Sequence, residues 1–202
     1  MRSGTLSIAG VSCLALRVSF TGDLGWEIYC DTNKQEIVYK ALVQEAVNEQ
    51  GGPVGSRALM SLRIEKGYGS WSREYSPEIW THECGLDKLC KLDKEFLNKA
   101  ALLDNLKNNP RENLVLIHLN EEDCRASNAD ATGGEPIFKN GKGLGRVTSG
   151  AYGYSVGMSL ALGYVKDVLP GDWVDVMVLG QPHRGEILKT PPFDPEGKIL
   201  RG

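Results

Sequence analysis

The sequence predicts an α+β N-terminal part followed by an all-β antiparallel barrel or sandwich, and three observations carry that prediction. After Tyr29 the spacing of apolar residues changes from strand-like alternation to a helical period. Helical spacing then stops at Asn108-Asn109-Pro110, because the residue before a proline is pushed out of the α region. From Arg111 onward several short alternating runs follow, separated by glycine-rich turns with no helical pattern between them. The boundary is placed near Pro110, which divides the 202 residues into units 1–110 and 111–202.

Thr5 to Ala9 reads as the first strand. In RVSFTGDLGWEIY (Arg17–Tyr29), Arg17-Val18-Ser19-Phe20 and Trp26-Glu27-Ile28-Tyr29 both alternate, with Gly22, Asp23 and Gly25 between them. That pattern predicts two strands joined by a tight turn. NKQEIVYKALVQEAVNEQGG then predicts a helix with Ile37, Ala41, Leu42 and Val47 on its apolar side. Asp31, Thr32 or Asn33 would cap it, and Gly51-Gly52 would stop it. A second helix starts at Ser56, a candidate cap, presents Leu59, Leu62 and Ile64, and ends at Gly67. DKLCKLD (Asp87–Asp93) alternates like a short strand, and NKAALLDNLKNNP gives a third helix.

In the second unit, ENLVLIHL is a strand and EDCRASNADATGGE a polar loop. Asn140-Gly141 marks a hairpin, because a type I′ turn needs positive φ at both central residues. SLALGYV, DWVDVMVL and HRGEILKT supply further strands. The glycines of GKGLGRVTSG follow a hairpin turn instead of opening a helix, and no Lys-Ser/Thr closes them. They fit neither a phosphate loop nor a dinucleotide fingerprint, and barrel turns with close backbone approach account for them better.

The composition is that of an ordinary globular protein, 41% hydrophobic and 24% charged, with a net charge of −3 that offers no basic surface for nucleic acid or an anionic membrane. No apolar run approaches the length of a membrane span. The five cysteines form no C-x-x-C pair and the three histidines are dispersed, so no metal site is expected and the thiols should be reduced.

Glu27 has two readings. Alternation alone puts it on the solvent face of a half-buried strand. Alternatively it floors a pocket and reads a ligand, with Tyr29 two residues along on the same face.

Three stretches, RVSFTGDLGWEIY, SRALMSLRIEKGYGSW and GEPIFKNGKGLGRVTSGAYGYSVGMSLALGYV, resemble the folate-dependent T-protein of glycine cleavage and its relatives. The ending PPFDPEGKILRG is similar to the carboxy-terminal half of flavin-dependent dimethylglycine and sarcosine dehydrogenases. The resemblance implies a three-domain cloverleaf around tetrahydrofolate with a C-terminal β-barrel, and it spans about Leu6 to Gly202. It assigns Glu27 to the pterin, whose edge offers two parallel N–H donors to one carboxylate. Tyr29 would line the same pocket. Arg57 would offer its guanidinium fork to a folate oxygen or carboxylate, the alternative being an ion pair with a neighbouring acid. Tyr68 would stack on a folate ring, whereas Trp71 is read as loop packing. Glu83 in HECGL is expected to bond nearby backbone amides, and Thr148-Ser149-Gly150 to contact the first unit.

The relatives carry their catalytic aspartate in a more N-terminal part, so this chain is expected to resemble the last half of a one-carbon transferase module. It would hold no catalytic residue of its own and be inactive alone. FAD would sit only on a missing N-terminal region or a partner. The implied partners are tetrahydrofolate and a separate N-terminal half or flavoprotein subunit, with no nucleic acid and no membrane. The implied location is the cytoplasm, or the mitochondrial matrix in a eukaryote. The alternative is a non-catalytic folate-binding or regulatory module of the same fold. Iron–sulfur assembly relatives carry a cysteine in the stretch matching EKGYGSW, and this chain has none there.

Overall fold

The computed structural model describes residues 2–202. Strands β1 (Ser3–Ile8) and β2 (Val11–Leu16) form a hairpin through Ala9 and Gly10, both at positive φ. β3 (Glu27–Tyr29) adds to the other edge of β2 in the register Leu14↔Tyr29, Ala15↔Ile28, Leu16↔Glu27. The partner of β3 is therefore β2, and the expected strand Arg17–Phe20 does not form. After Arg17 the chain leaves the ladder: Gly22 donates its amide to Ser19 Oγ at 2.9 Å, and the Thr21 hydroxyl donates to Asp23 at 3.1 Å. These local side-chain bonds give the backbone a turn in place of a strand.

Helix α1 (Gln35–Asn48) is entered through a 3₁₀ turn at Thr32–Lys34. It buries only Val38, while Ile37, Leu42 and Val47 stay about half exposed. Helix α2 (Ser56–Glu65) has Gly55 in the cap position and Ser56 as its first helical residue, so the expected Ser56 cap is not made. Gly67, at φ +68°, follows its end as expected. The expected strand at Asp87–Asp93 is a 3₁₀ turn, Asp87–Leu89. The amides of Leu86 and Asp87 bond the Thr81 carbonyl, which holds the segment to a preceding turn and away from any sheet. α3 spans Lys99–Asn105.

From Asn113 the chain builds a closed antiparallel barrel of β4 (Asn113–Leu119), β5 (Pro136–Lys139), β6 (Lys142–Gly153), β7 (Met158–Val165), β8 (Trp173–Val178) and β9 (Gln181–Ile187). The spatial order is β4-β7-β6-β5-β8-β9, and β9 returns to β4. Asn140 and Gly141 make the expected turn with φ of 54° and 76°. One expectation fails here: the polar loop after β4 contains helix α4 (Glu121–Ser127). Asn120 accepts the amides of Glu122 and Asp123, and three acids in the first turn suit the positive end of the helix dipole. A last turn, α5, covers Lys198–Arg201.

The barrel interior is filled by Ile117, Leu119, Ile137, Val147, Val165, Val176, Ile187 and their neighbours. Alternate residues point the other way, so Leu116, Leu160 and Leu162 leave the barrel and meet Ile64 of α2. Strand β7 is consequently buried on both faces, inside the barrel and beneath α2. The chain before β4 is also tied to the barrel around Glu83. Glu83 accepts the amides of Trp80 and Arg111 and holds the Arg111 guanidinium at 2.7–2.8 Å, and the Glu83 carbonyl accepts the Leu114 amide.

The Arg111 hydrogen bonds hold the Glu83 carboxyl down at about 2, against an ordinary 4.5. A depressed carboxylate stabilises the fold fully above its unfolded value and loses that contribution as pH falls through the window from about 4.5 to about 2. With Arg111 half exposed, the contribution is about 2–3 kcal/mol. Urea midpoints at neutral pH and at a pH inside this window are expected to fall further for the wild type than for Glu83→Gln. Equal falls would remove Glu83 from the acid sensitivity.

Candidate functional site

A cleft of about 790 Å³ opens between α2 and the barrel, bounded by β6 and by the loop between α4 and β5. Arg57, Met60, Ser61, Arg63 and Glu65 line it from the helix, Ser149 to Tyr152 line it from β6, and Arg73, Asp130 and Tyr154 complete it. The helix is held against the strand by Ser61, whose hydroxyl donates to the Tyr152 carbonyl at 2.5 Å. Glu65 accepts the Ser155 amide at 3.0 Å, which fixes the turn after β6.

Beneath the cleft lies a buried ion pair. Arg63 Nη1 donates to Glu74 Oε2 at 3.0 Å and to the Tyr68 carbonyl at 2.9 Å, and both side chains of the pair are inaccessible. Glu74 also accepts the Ser70 amide and the hydroxyls of Thr148 and Ser149, while its backbone carbonyl accepts the Tyr164 hydroxyl. Burial alone would raise the Glu74 carboxyl, but the Ser149 and Thr148 hydroxyls, the Ser70 amide and Arg63 outweigh it and lower it. Burial lowers the Arg63 guanidinium in spite of Glu74. Its Nε and Nη2 are buried without a partner among the described residues. The expected contact of Thr148 and Ser149 with the first unit is thus made through Glu74.

The C-terminal segment closes the other side of α2. Lys66 donates to the Asp194 carboxylate at 3.1 Å, and Asp194 also accepts the amides of Lys198 and Leu200. These bonds overcome burial and hold the Asp194 carboxyl down at about 2. Arg17 then donates to the carbonyls of Leu200 and Arg201.

The sequence-derived site residues fall into three places. Glu27 and Tyr29 share the open face of the sheet, where the Tyr29 hydroxyl donates to Glu27 Oε2 at 2.5 Å. That bond, and then the carboxylate charge, raise the Tyr29 phenol. Opposite them in the ladder stand Leu14 and Leu16, which give the pair an apolar floor. Arg57 is exposed at the N-terminal end of α2 and lines the cleft. Tyr68 is half-buried, with its phenol raised by burial and then by Asp194. Among the described residues, no hydrogen bond or ion pair joins Glu27 or Tyr29 to Arg57 or Tyr68. Trp26 stands off the sheet: it is 54% exposed, with Arg17 5.5 Å over its ring.

Arg63, Glu74 and Asp194 were not anticipated from the sequence. The available signal was an arginine flanked by Leu62 and Ile64 on a helix face that has to bury itself. The glycine run of β6 lies within a strand, so it forms no phosphate cradle at a helix end. Among the described residues, no group of three or more metal-ligating side chains is assembled, and no helix is long and apolar enough to cross a membrane.

Two family models match the chain. The GCVT N-terminal domain model matches residues 1–94, and the glycine cleavage T-protein C-terminal barrel domain model matches residues 113–194. Human mitochondrial dimethylglycine dehydrogenase is 32% identical over 195 residues, which is 95% of this chain and 22% of that protein. The aminomethyltransferase of Halothermothrix orenii is 31% identical over 192 residues, 94% of this chain and 52% of that protein. The crystal structure of glycine cleavage system aminomethyltransferase T from Bartonella henselae superposes with a TM-score of 0.80 at 23% identity, covering 91% of this chain and 50% of that one. The chain thus spans about a fifth of the dehydrogenase and about half of the aminomethyltransferases it matches. Its ordered pairing of an N-terminal α/β part with a closed six-stranded barrel places it in the glycine-cleavage T-protein (aminomethyltransferase) family.

Proposed function

We propose that this chain supplies part of a tetrahydrofolate-dependent aminomethyl or one-carbon transferase module, divided into two units near Pro110. The observation that carries this reading is the succession of two T-protein family domains along one chain, with Glu27 presenting its carboxylate on an open, apolar-floored face. Glu27 suits the pterin edge. Its Oε2 is braced by the Tyr29 hydroxyl and its Oε1 has no partner among the described residues, so a bidentate donor pair can engage both oxygens.

Tetrahydrofolate brings the nitrogens that accept the one-carbon unit; the protein positions them. Tyr29 orients the Glu27 carboxylate, Leu14 and Leu16 shed water from beneath the ring, and Arg57 offers a fixed cation to folate oxygens or carboxylates. Tyr68 supplies a flat, half-buried ring beside the C-terminal segment. The glycine run of β6 lies within a strand and does not suit a dinucleotide; FAD would sit on an N-terminal region or a flavoprotein partner. The compartment proposed is the cytosol or, as for the mitochondrial relatives, the matrix. A non-catalytic folate-binding module is the second reading, favoured by the separation of Glu27 and Tyr29 from the cleft that holds Arg57.

Calorimetric titration with tetrahydrofolate tests the reading, with the N-terminal half of an aminomethyltransferase co-expressed. Glu27→Gln keeps the size but turns one acceptor oxygen into a donor, so binding is expected to weaken by about 2–4 kcal/mol. Equal affinity for wild type and variant would return Glu27 to a solvent-facing strand residue.

A further inference from the structure

The site described above leaves a pair of thiols unused on the opposite face of the same small sheet. Register brings them together. β2 and β3 pair as Leu14↔Tyr29, Ala15↔Ile28 and Leu16↔Glu27, so the next antiparallel position sets Cys13 opposite Cys30. The kind of pair follows from the neighbouring ladder. The Arg17 amide bonds the Arg2 carbonyl, one step beyond Ser3↔Leu16, so the odd-numbered residues of this stretch turn their backbone groups towards β1. Backbone groups alternate along a strand, so Leu14 and Leu16 turn theirs towards β3. Cys13 and Cys30 therefore form a non-hydrogen-bonded cross-strand pair.

In such pairs the Cα atoms approach to about 4.5 Å and the side chains lie closest. That separation falls within the roughly 4.4–6.8 Å that a disulfide spans. Both side chains share a face: Cys13 is buried with Ala15, and Cys30 is half-buried. Burial, and next the adjacent Cys30 sulfur, hold the Cys13 thiol above its ordinary value. The other cysteines have different neighbours. Cys84 and Cys90 lie against backbone carbonyls, and Cys124 faces His183 Nδ1 at 3.6 Å.

We propose that Cys13 and Cys30 are a thiol–disulfide modification site whose oxidation pins the strand carrying Glu27 and Tyr29. The oxidant is a small-molecule disulfide of the glutathione class. The more accessible Cys30 thiolate attacks one of its sulfurs, forming a mixed disulfide and releasing one thiol. The Cys13 thiolate then attacks the Cys30 sulfur, forming the internal bridge and releasing the second thiol. Two electrons pass from the protein to the oxidant, and the two thiol protons leave with the released thiols. β3 is held by three ladder pairs at the end of a long loop. A bridge at Cys30 closes that loop into a ring and fixes the strand at its far end.

The native protein, incubated with oxidised glutathione, alkylated and mapped by mass spectrometry, tests this. The peptides of Cys13 and Cys30 are expected to be joined with loss of two hydrogens, while Cys84, Cys90 and Cys124 are alkylated. Cys13→Ser is expected to trap glutathione on Cys30, and Cys30→Ser to leave Cys13 a free thiol. In urea the preference for this pair should vanish. Wild-type protein that keeps glutathione on Cys30 with Cys13 free, or that bridges either residue to another cysteine, would overturn the proposal.

Discussion

Glu74→Ala is expected to lower the unfolding free energy by about 3–5 kcal/mol, a large share of the 5–15 kcal/mol that holds a typical domain together. The substitution leaves Arg63 charged, inaccessible and without its carboxylate, and it strands the hydroxyls of Thr148 and Ser149 and the Ser70 amide. The damage falls on the join between α2 and the barrel, because Glu74 is the group that both sides bond. Urea unfolding monitored by tryptophan fluorescence reads it. Replacing both members, Arg63→Met with Glu74→Leu, is expected to recover a substantial part of the loss, since an apolar pair leaves no charge to desolvate. A single-variant loss below about 1 kcal/mol, the range of ordinary surface substitutions, would mean that water reaches Arg63.

Gly145→Ala is expected to abolish the soluble, cooperatively folding barrel. A Cβ at Gly145 would overlap the Tyr164 carbonyl oxygen, which is backbone and cannot swing aside. Gly145 pairs with Ile137 on one side and Val165 on the other, so β6 is clamped between two neighbours of a closed ring. An open sheet yields by splaying an edge, but a ring has none. Gly143→Ala, two residues earlier in the same strand, is the control: its Cβ would meet nothing closer than the Phe138 ring at 3.7 Å. Size-exclusion chromatography and thermal melts should separate the two variants sharply. A folded Gly145→Ala protein with the wild-type melting temperature would show that β6 and β7 slide apart at low cost.

The barrel was legible because its signals are local. Asn140-Gly141 dictates its own turn, and alternation along β8 and β9 needs only one buried face. The failures have physical reasons too. Arg17–Phe20 alternates, yet Ser19 and Thr21 divert the backbone into side-chain turns. Helix α4 was hidden in a polar stretch because its stability comes from Asn120 and an acidic first turn, with no buried residue of its own. On α2 Ile64 is buried as expected, but so are Ser61, Arg63 and Glu65, while Leu59 is 38% exposed. Polar groups on that helix find partners in Glu74, Tyr152 and Ser155, all outside the helix, and such contacts leave no trace in local periodicity. Glu27, Tyr29, Arg57 and Tyr68 were selected by motif. Motif spacing proposes which residues share a site, but it does not say how much of the surrounding wall one chain provides.

Arg17 has a consequence of another kind. Its amide donates to the carbonyl of Arg2, and its guanidinium donates to those of Leu200 and Arg201, so Arg2 and the C-terminal turn converge on one residue. Loosening the C-terminal turn would therefore also loosen the edge of the three-stranded sheet, so the two stretches are expected to open as one cooperative piece.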